Sequence, residues 1–216
     1  MTSASASFTT QVSGITVMFG TVQQRMAPTS LATLRMTSVD GLDRFAVTEV
    51  VTRSTVYVRM PSLAAALGKP WIGVPVPELG AYPAMAQLYQ TAALPTAEAA
   101  LIGTANSERM TGTTTMRGVK VSRYVGSIDP SAALSQLAPG MRQLLAPELA
   151  ATTGTISFTA WIDAQHNLRK VQTSATIGGQ LTVTTVVITA VNRVLHISVP
   201  QPSQVVAVPR QSPAAS

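Results

Sequence analysis

Two histidines, nine acidic residues and no cysteine are the groups from which this 216-residue chain could assemble reactive chemistry. Without a thiol, disulfide scaffolds, thiolate metal sites and cysteine nucleophiles are excluded. His166 falls in Asp163-Ala-Gln-His-Asn, which reads as a turn, and His196 falls on a strand-like stretch near the end. Neither has an Asp or Glu at ligand spacing, and two histidines alone make a poor zinc site. Ser and Thr are abundant, yet no Gly-x-Ser-x-Gly elbow is present. Gly112-Thr-Thr-Thr-Met-Arg-Gly118 lacks the Gly-Lys-Ser/Thr of a phosphate loop and opens no helix. The acids are scattered singly, with no pair suited to glycoside hydrolysis. The expectation is a protein that is not an enzyme and carries no cofactor and no metal.

Apolar surface remains. Met85, Leu88, Tyr89 and Ala92 recur at helical spacing, and so do Leu134, Leu137, Ala138, Met141, Leu144 and Leu145. Each stripe reads either as ordinary core or as the lining of a cavity. Nine methionines favour a cavity, because the flexible thioether re-packs around irregular ligands.

Those stripes need a frame. Charged residues make up 11% of the chain and aromatics 5%, so Thr, Ser and Gln cover the wet faces, as they do on exposed sheet. The clearest strands lie between Thr155 and Val199. Ile156, Phe158, Ala160 and Ile162 alternate with Thr155, Ser157, Thr159 and Trp161. After the Asp163 turn come strands over 168–177 and 181–190, joined at Gly178-Gly179, and a last strand over 195–199 that stops at Pro200. Short turns imply antiparallel neighbours.

Earlier in the chain, residues 1–7 are small and polar and are expected to be a flexible segment. A four-strand meander is expected over 12–60, with turns at Ala27-Pro28-Thr29-Ser30 and Asp40-Gly41. Pro61 opens a short helix closed by Gly68. Pro75, Pro77 and Gly80 argue against regular structure around them. Helices follow at the Met85 stripe and at 96–102, then strands from 106 to 128 with a turn near Arg117-Gly118. Asp129 caps the second helical block, Pro139-Gly140 breaks it, and Pro147 ends it. The expected fold class is α+β: about ten antiparallel strands that curl as a half-barrel around a few helices. Residues 8–206 form one domain, and 207–216 a disordered tail.

The net charge of +6 comes from basic residues spread singly. No aromatic-basic interleaving exists, so nucleic acid is not expected. Solvated strand faces account for the charge, and anionic lipid headgroups are the other partner it would favour. No run of about 18 apolar residues exists to span a membrane. The start, Met-Thr-Ser-Ala-Ser-Ala-Ser, has no basic or apolar leader region, so no signal peptide is read here.

Several stretches in order carry a family resemblance. Val56-Tyr57-Val58-Arg59-Met60-Pro61 followed by Leu67-Gly68-Lys69-Pro70-Trp71-Ile72 resembles the YVRMP…LGKPWI stretch of actinobacterial envelope lipoproteins of the LppX/LprA/LprF/LprG group. Tyr124 to Pro130 is similar to that family's strand-to-helix junction. Trp161-Ile162-Asp163 with Arg169-Lys170-Val171 resembles its WVD…RKV hairpin, and His196 to Pro202 its closing strand. The resemblance runs from about residue 8 to 206. Two departures stand out: the family's anchor cysteine is missing, and Asn192-Arg193 replaces a frequent glycine before the last strand.

The resemblance implies a LolA/LolB-like fold with an apolar cavity between sheet and helices. It implies binding or transport of lipids or glycolipids in the actinobacterial envelope, at the outer face of the cytoplasmic membrane or in a periplasm-like space. A membrane surface is then a partner through a native lipid anchor that this sequence lacks, and no protein partner can be named. The sheet candidates for the cavity are Phe45, Val47, Val58, Phe158 and Val183. The first helical block offers Met60, Leu63, Leu67, Met85, Leu88 and Tyr89, and the second Leu137, Met141 and Leu144. The alternative is an envelope structural or interaction protein with a self-filled core and no lipid.

Overall fold

A computed structural model describes residues 2–26, 30–40 and 43–208. Strand residues outnumber helical ones by about two to one, as the period-two alternation predicts. The first meander holds β1 (Ser3–Val12), β2 (Ile15–Arg25), β3 (Leu31–Asp40), β4 (Asp43–Val51), β5 (Thr55–Arg59) and β6 (Trp71–Pro75), each antiparallel to the next. The second holds β7 (Ser107–Met116), β8 (Val119–Ile128), β9 (Thr152–Asp163), β10 (Leu168–Ile177) and β11 (Gln180–Val191). The two fuse where β1 pairs with β11, Phe8 opposite Val186. With β12 (Val205–Ala207) parallel to β6, they make one open, curled 12-stranded sheet. Two-residue turns at Ser13-Gly14, Arg117-Gly118 and Gly178-Gly179 have positive φ at both positions, the geometry that matches strand twist.

Helices enter at two places. α1 (Pro61–Leu67) lies between β5 and β6; a 3-10 turn (Val76–Ala81), α2 (Pro83–Ala92) and α3 (Leu94–Ile102) lie between β6 and β7. α4 (Pro130–Gln136) and α5 (Pro139–Ala151) lie between β8 and β9. The α4 start is built as its residues dictate: the Asp129 carboxylate accepts from the backbone N–H groups of Ser131 and Ala132, both at 2.9 Å, and Pro130 needs no partner. No helix among the described residues is long and apolar enough to cross a membrane.

α2 to α5 cover the inner face of the sheet. α3, α4 and α5 bury Leu101, Leu137, Leu145 and Leu149 against Ile128, Ile156, Phe158 and Ala160. α2 places Ala92 on Phe8, Val22, Leu34, Val171 and Val186. The 3-10 turn and α2 cover Val47, Val56, Val58 and Val74. Leu88 packs against both of the last two clusters, and Ile102 against the first two, so the three run together.

Several expectations are corrected. Residues 3–7 are no loose leader: they begin β1, paired on both sides by β2 and β11, with Ala4 and Ala6 buried. That placement removes the expected strand over 195–199, because β1 already occupies the open edge of β11; residues 193–200 pair with no strand among the described residues. The meander therefore has a further strand at its start. Pro147 lies inside α5, which continues to Ala151, and Pro75, Pro77 and Gly80 permit the short 3-10 turn. The tail is ordered through Val208, which packs against the Val47–Val58 cluster. The expected turn over 27–30, the loop after Asp40 and the end of the tail from 209 fall on or run into residues outside the described ones.

A candidate apolar binding site between helices and sheet

The structure sorts the cavity candidates into three groups. Val47 and Val58 point inward from β4 and β5, and Met60, Met85, Leu88 and Tyr89 pack on them. Leu137 and Phe158 are buried under α3 and α5 with Met141 beside them, and Leu144 is buried on α5. The third group does not join either. Phe45 faces the same side as Val47, but lies beyond the helices and is 46% exposed. Leu67, at the end of α1, is 44% exposed. Val183 pairs with Ser174, whose neighbours Thr173 and Ala175 are the buried ones, so Val183 lies on the outer face. The side chain of Leu63 lies outside the described ones.

A crevice of about 190 Å³ opens on the inner side between the α2–α3 junction and β2 to β4. Tyr89 and Met141 line it, with Leu31, Ala32, Val51 and Ala92. It is smaller than the roughly 300 Å³ at which small-molecule pockets begin. Methionine surrounds the wider seam: Met18, Met36, Met60, Met85 and Met141 are all partly buried where helix meets sheet.

Polar groups hold this seam. The Gln24 amide donates to the Ala92 carbonyl at 2.7 Å, and its carbonyl oxygen accepts from the Thr96 hydroxyl at 2.8 Å. One β2 side chain thereby pins the α2–α3 junction. Replacing it leaves two groups without partners, so Gln24→Ala is expected to cost about 1–3 kcal/mol in denaturant unfolding.

Two carboxyls were not foreseen here. Glu49 on β4 points inward between Leu34 and Val58, is fully buried, and neither carboxyl oxygen has a partner among the described residues. Burial pushes it up to about 8. Glu98 on α3 is buried, accepts from the Thr173 hydroxyl at 3.1 Å, and leaves Oε2 unpartnered. Burial, and then the charge of Glu148, push it up to about 8. Their strand and helix phases were the available signal: Glu49 shares the parity of Val47 and Val51, and Glu98 the helical face of Leu94 and Leu101.

The charged groups around the Asp163 turn and Trp161 are structural in their contacts. Asp163 accepts from the Gln165 and Asn167 N–H groups at 2.9 Å and pairs with Arg169 at 2.6 Å. Burial alone would raise this carboxyl, but the Asn167 and Arg169 hydrogen bonds outweigh it and hold it below the usual range. Lys170 and Arg123 lie 4.6 and 5.9 Å from the Trp161 ring centre on the outer face. Among the described residues no group of three or more His, Cys, Asp or Glu is placed to hold a metal ion.

No protein-family model and no curated protein matches the chain. Solved structures do. The crystal structure of LprF from Mycobacterium bovis superposes with a TM-score of 0.54 at 15% identity, covering 92% of this chain and 89% of that one. The Mycobacterium tuberculosis lipoprotein LppX superposes with a TM-score of 0.54 at 17% identity, covering 92% and 90%. Strand order, curl and the helix layer on one face are what such a superposition compares, and in these the chain has the LppX/LprF family fold.

Proposed function

We propose that this protein binds a lipid or glycolipid non-enzymatically, with acyl chains held in the seam between α2–α5 and the inner face of the sheet. The observation that carries the reading is the methionine-rich seam between helices and sheet, with the crevice lined by Met26 and Met141 opening at one end of it. Met18, Met36, Met60, Met85 and Met141 can re-pack as helices shift, and the crevice at Tyr89 and Met141 gives a chain its point of entry. The crevice must widen, so α2 and α3 ride outward as the lipid enters. Each methylene buried contributes about 0.8 kcal/mol, and a chain of about ten therefore brings about 8 kcal/mol against the cost of ordering it. No fixed polar geometry is required. The likeness to the lipoprotein LppX supports an envelope setting in an actinobacterium, with delivery of the lipid at a membrane surface as the role.

The seam reading is tested at Leu88, which packs against both the Leu34 and Val58 clusters. Wild type is expected to take up a fluorescent fatty acyl probe saturably. Leu88→Trp fills the volume the chain would enter, so uptake falls at least tenfold. Overpacking also costs about 1–3 kcal/mol of stability, which lowers the melting temperature. Uptake unchanged in the mutant would move the site elsewhere. No saturable uptake by wild type favours the alternative, an interaction protein with a self-filled core.

A further inference from the structure

A second groove lies on the opposite side of the sheet. After β11 the chain leaves the sheet and crosses the outer face, and residues 196–198 form one wall of a groove of about 600 Å³. The floor is a cross-strand row. Thr21 on β2 pairs with Arg35 on β3, Arg35 with Thr48 on β4, and Thr48 with Arg59 on β5. Arg35 and Arg59 are thus two strands apart, roughly 10 Å between backbones, and point to the same side. Trp71 lies at the end of this row, and Gln23, Thr33 and Val50 add to the floor.

Three features define what this groove takes. Neither Arg35 nor Arg59 makes an ion pair among the described residues. Among the described residues no acidic side chain lines the groove. Hydroxyl and amide groups lie beside the two arginines along the groove, while Trp71 and Ile197 give apolar surface. Two guanidinium forks on one face, two strands apart, suit a tetrahedral anion with several acceptor oxygens better than a single carboxylate. The volume exceeds that of a bare anion and leaves room for the alcohols esterified to it.

We propose that the outer-face groove between residues 196–198 and the Arg35–Arg59 row is a phosphodiester-binding site. It is separate from the inner seam and does not rest on lipid being held there. The diester belongs either to a lipid headgroup or to a water-soluble ester.

Trp71 is a built-in reporter once the only other tryptophan is removed, so the test uses full-length protein carrying Trp161→Phe. Three probes are titrated by calorimetry and by Trp71 emission: glycerophosphoglycerol, vesicles of phosphatidylglycerol in phosphatidylcholine, and vesicles of phosphatidylcholine alone. The expected result is saturable binding of a phosphodiester that weakens with added salt. Arg35→Gln/Arg59→Gln should weaken it at least tenfold without lowering the melting temperature, since both side chains are exposed. A signal with glycerophosphoglycerol assigns a soluble source, and a signal confined to phosphatidylglycerol vesicles assigns a lipid headgroup. The proposal is overturned if neither gives saturable binding, if the double variant binds as wild type, or if phosphatidylcholine vesicles bind equally well.

Discussion

Unfolding free energy should fall as pH rises from 5 to 9, and Glu49→Leu should remove a large part of that fall. The folded-state value of Glu49 is raised from 4.5 to about 8 by burial. A carboxyl raised in this way is neutral when folded at low pH and carries no charge penalty there. Its stability contribution is complete below about 4.5 and is lost as pH climbs to about 8 and beyond. At 1.36 kcal/mol per pH unit the full loss is on the order of 5 kcal/mol. Leucine fits the apolar surroundings of Leu34 and Val58 and titrates nowhere. The variant should at least match wild type at pH 5, where it removes a buried neutral carboxyl without partners among the described residues, and should exceed it by several kcal/mol more at pH 9. Adding Glu98→Gln, which keeps an acceptor for Thr173, should flatten most of the remaining slope. Denaturant unfolding at pH 5, 7 and 9 measures both. Equal wild-type stability at pH 5 and 9 would show that these carboxyls find partners or water.

Phe158→Ala should be the most damaging truncation of an apolar side chain at the seam. The ring is 3% exposed within the cluster of Ile128, Leu137 and Leu149. It also lies over Gly126 on the paired strand, where an added Cβ would stand 2.7 Å from the ring. The side chain therefore fills the hollow that glycine leaves. Truncation should cost about 3–5 kcal/mol, and at about 2–4 °C per kcal/mol the melting temperature falls by roughly 10 °C. A loss below about 1 kcal/mol would show instead that the ring borders open space.

The curled sheet was legible because most segments alternate cleanly. Ile156, Phe158 and Ala160 are buried, as their spacing predicts, and Asp129-Pro130 opens its helix as written. Legibility failed where period two has no clear phase. Between Leu181 and Ala190, Thr and Val occupy both faces, and only pairing with Phe8 and Val171 settles that Val186 points in and Val183 out. The opening Ser-Ala-Ser-Ala-Ser carries the alternation with side chains too small to announce it. Composition suggested freedom, while backbone pairing on both sides makes it a central strand. Phe45 had the right face, yet strand phase says nothing about how far along the strand the helices reach. Glu49 sat in plain phase with Val47, and its charge hid it. The volume between the layers is a sum over many side-chain contacts, and no local pattern encodes it.

As proposed above, the seam holds acyl chains. Mass spectrometry of an organic extract, from protein purified out of a lipid-containing host, tests it most directly. The expected result is acyl lipid in near-stoichiometric amount in wild type and much less in Leu88→Trp. An extract free of acyl lipid, from protein that also takes up no fatty acyl probe, would contradict the account and identify the seam as closed core.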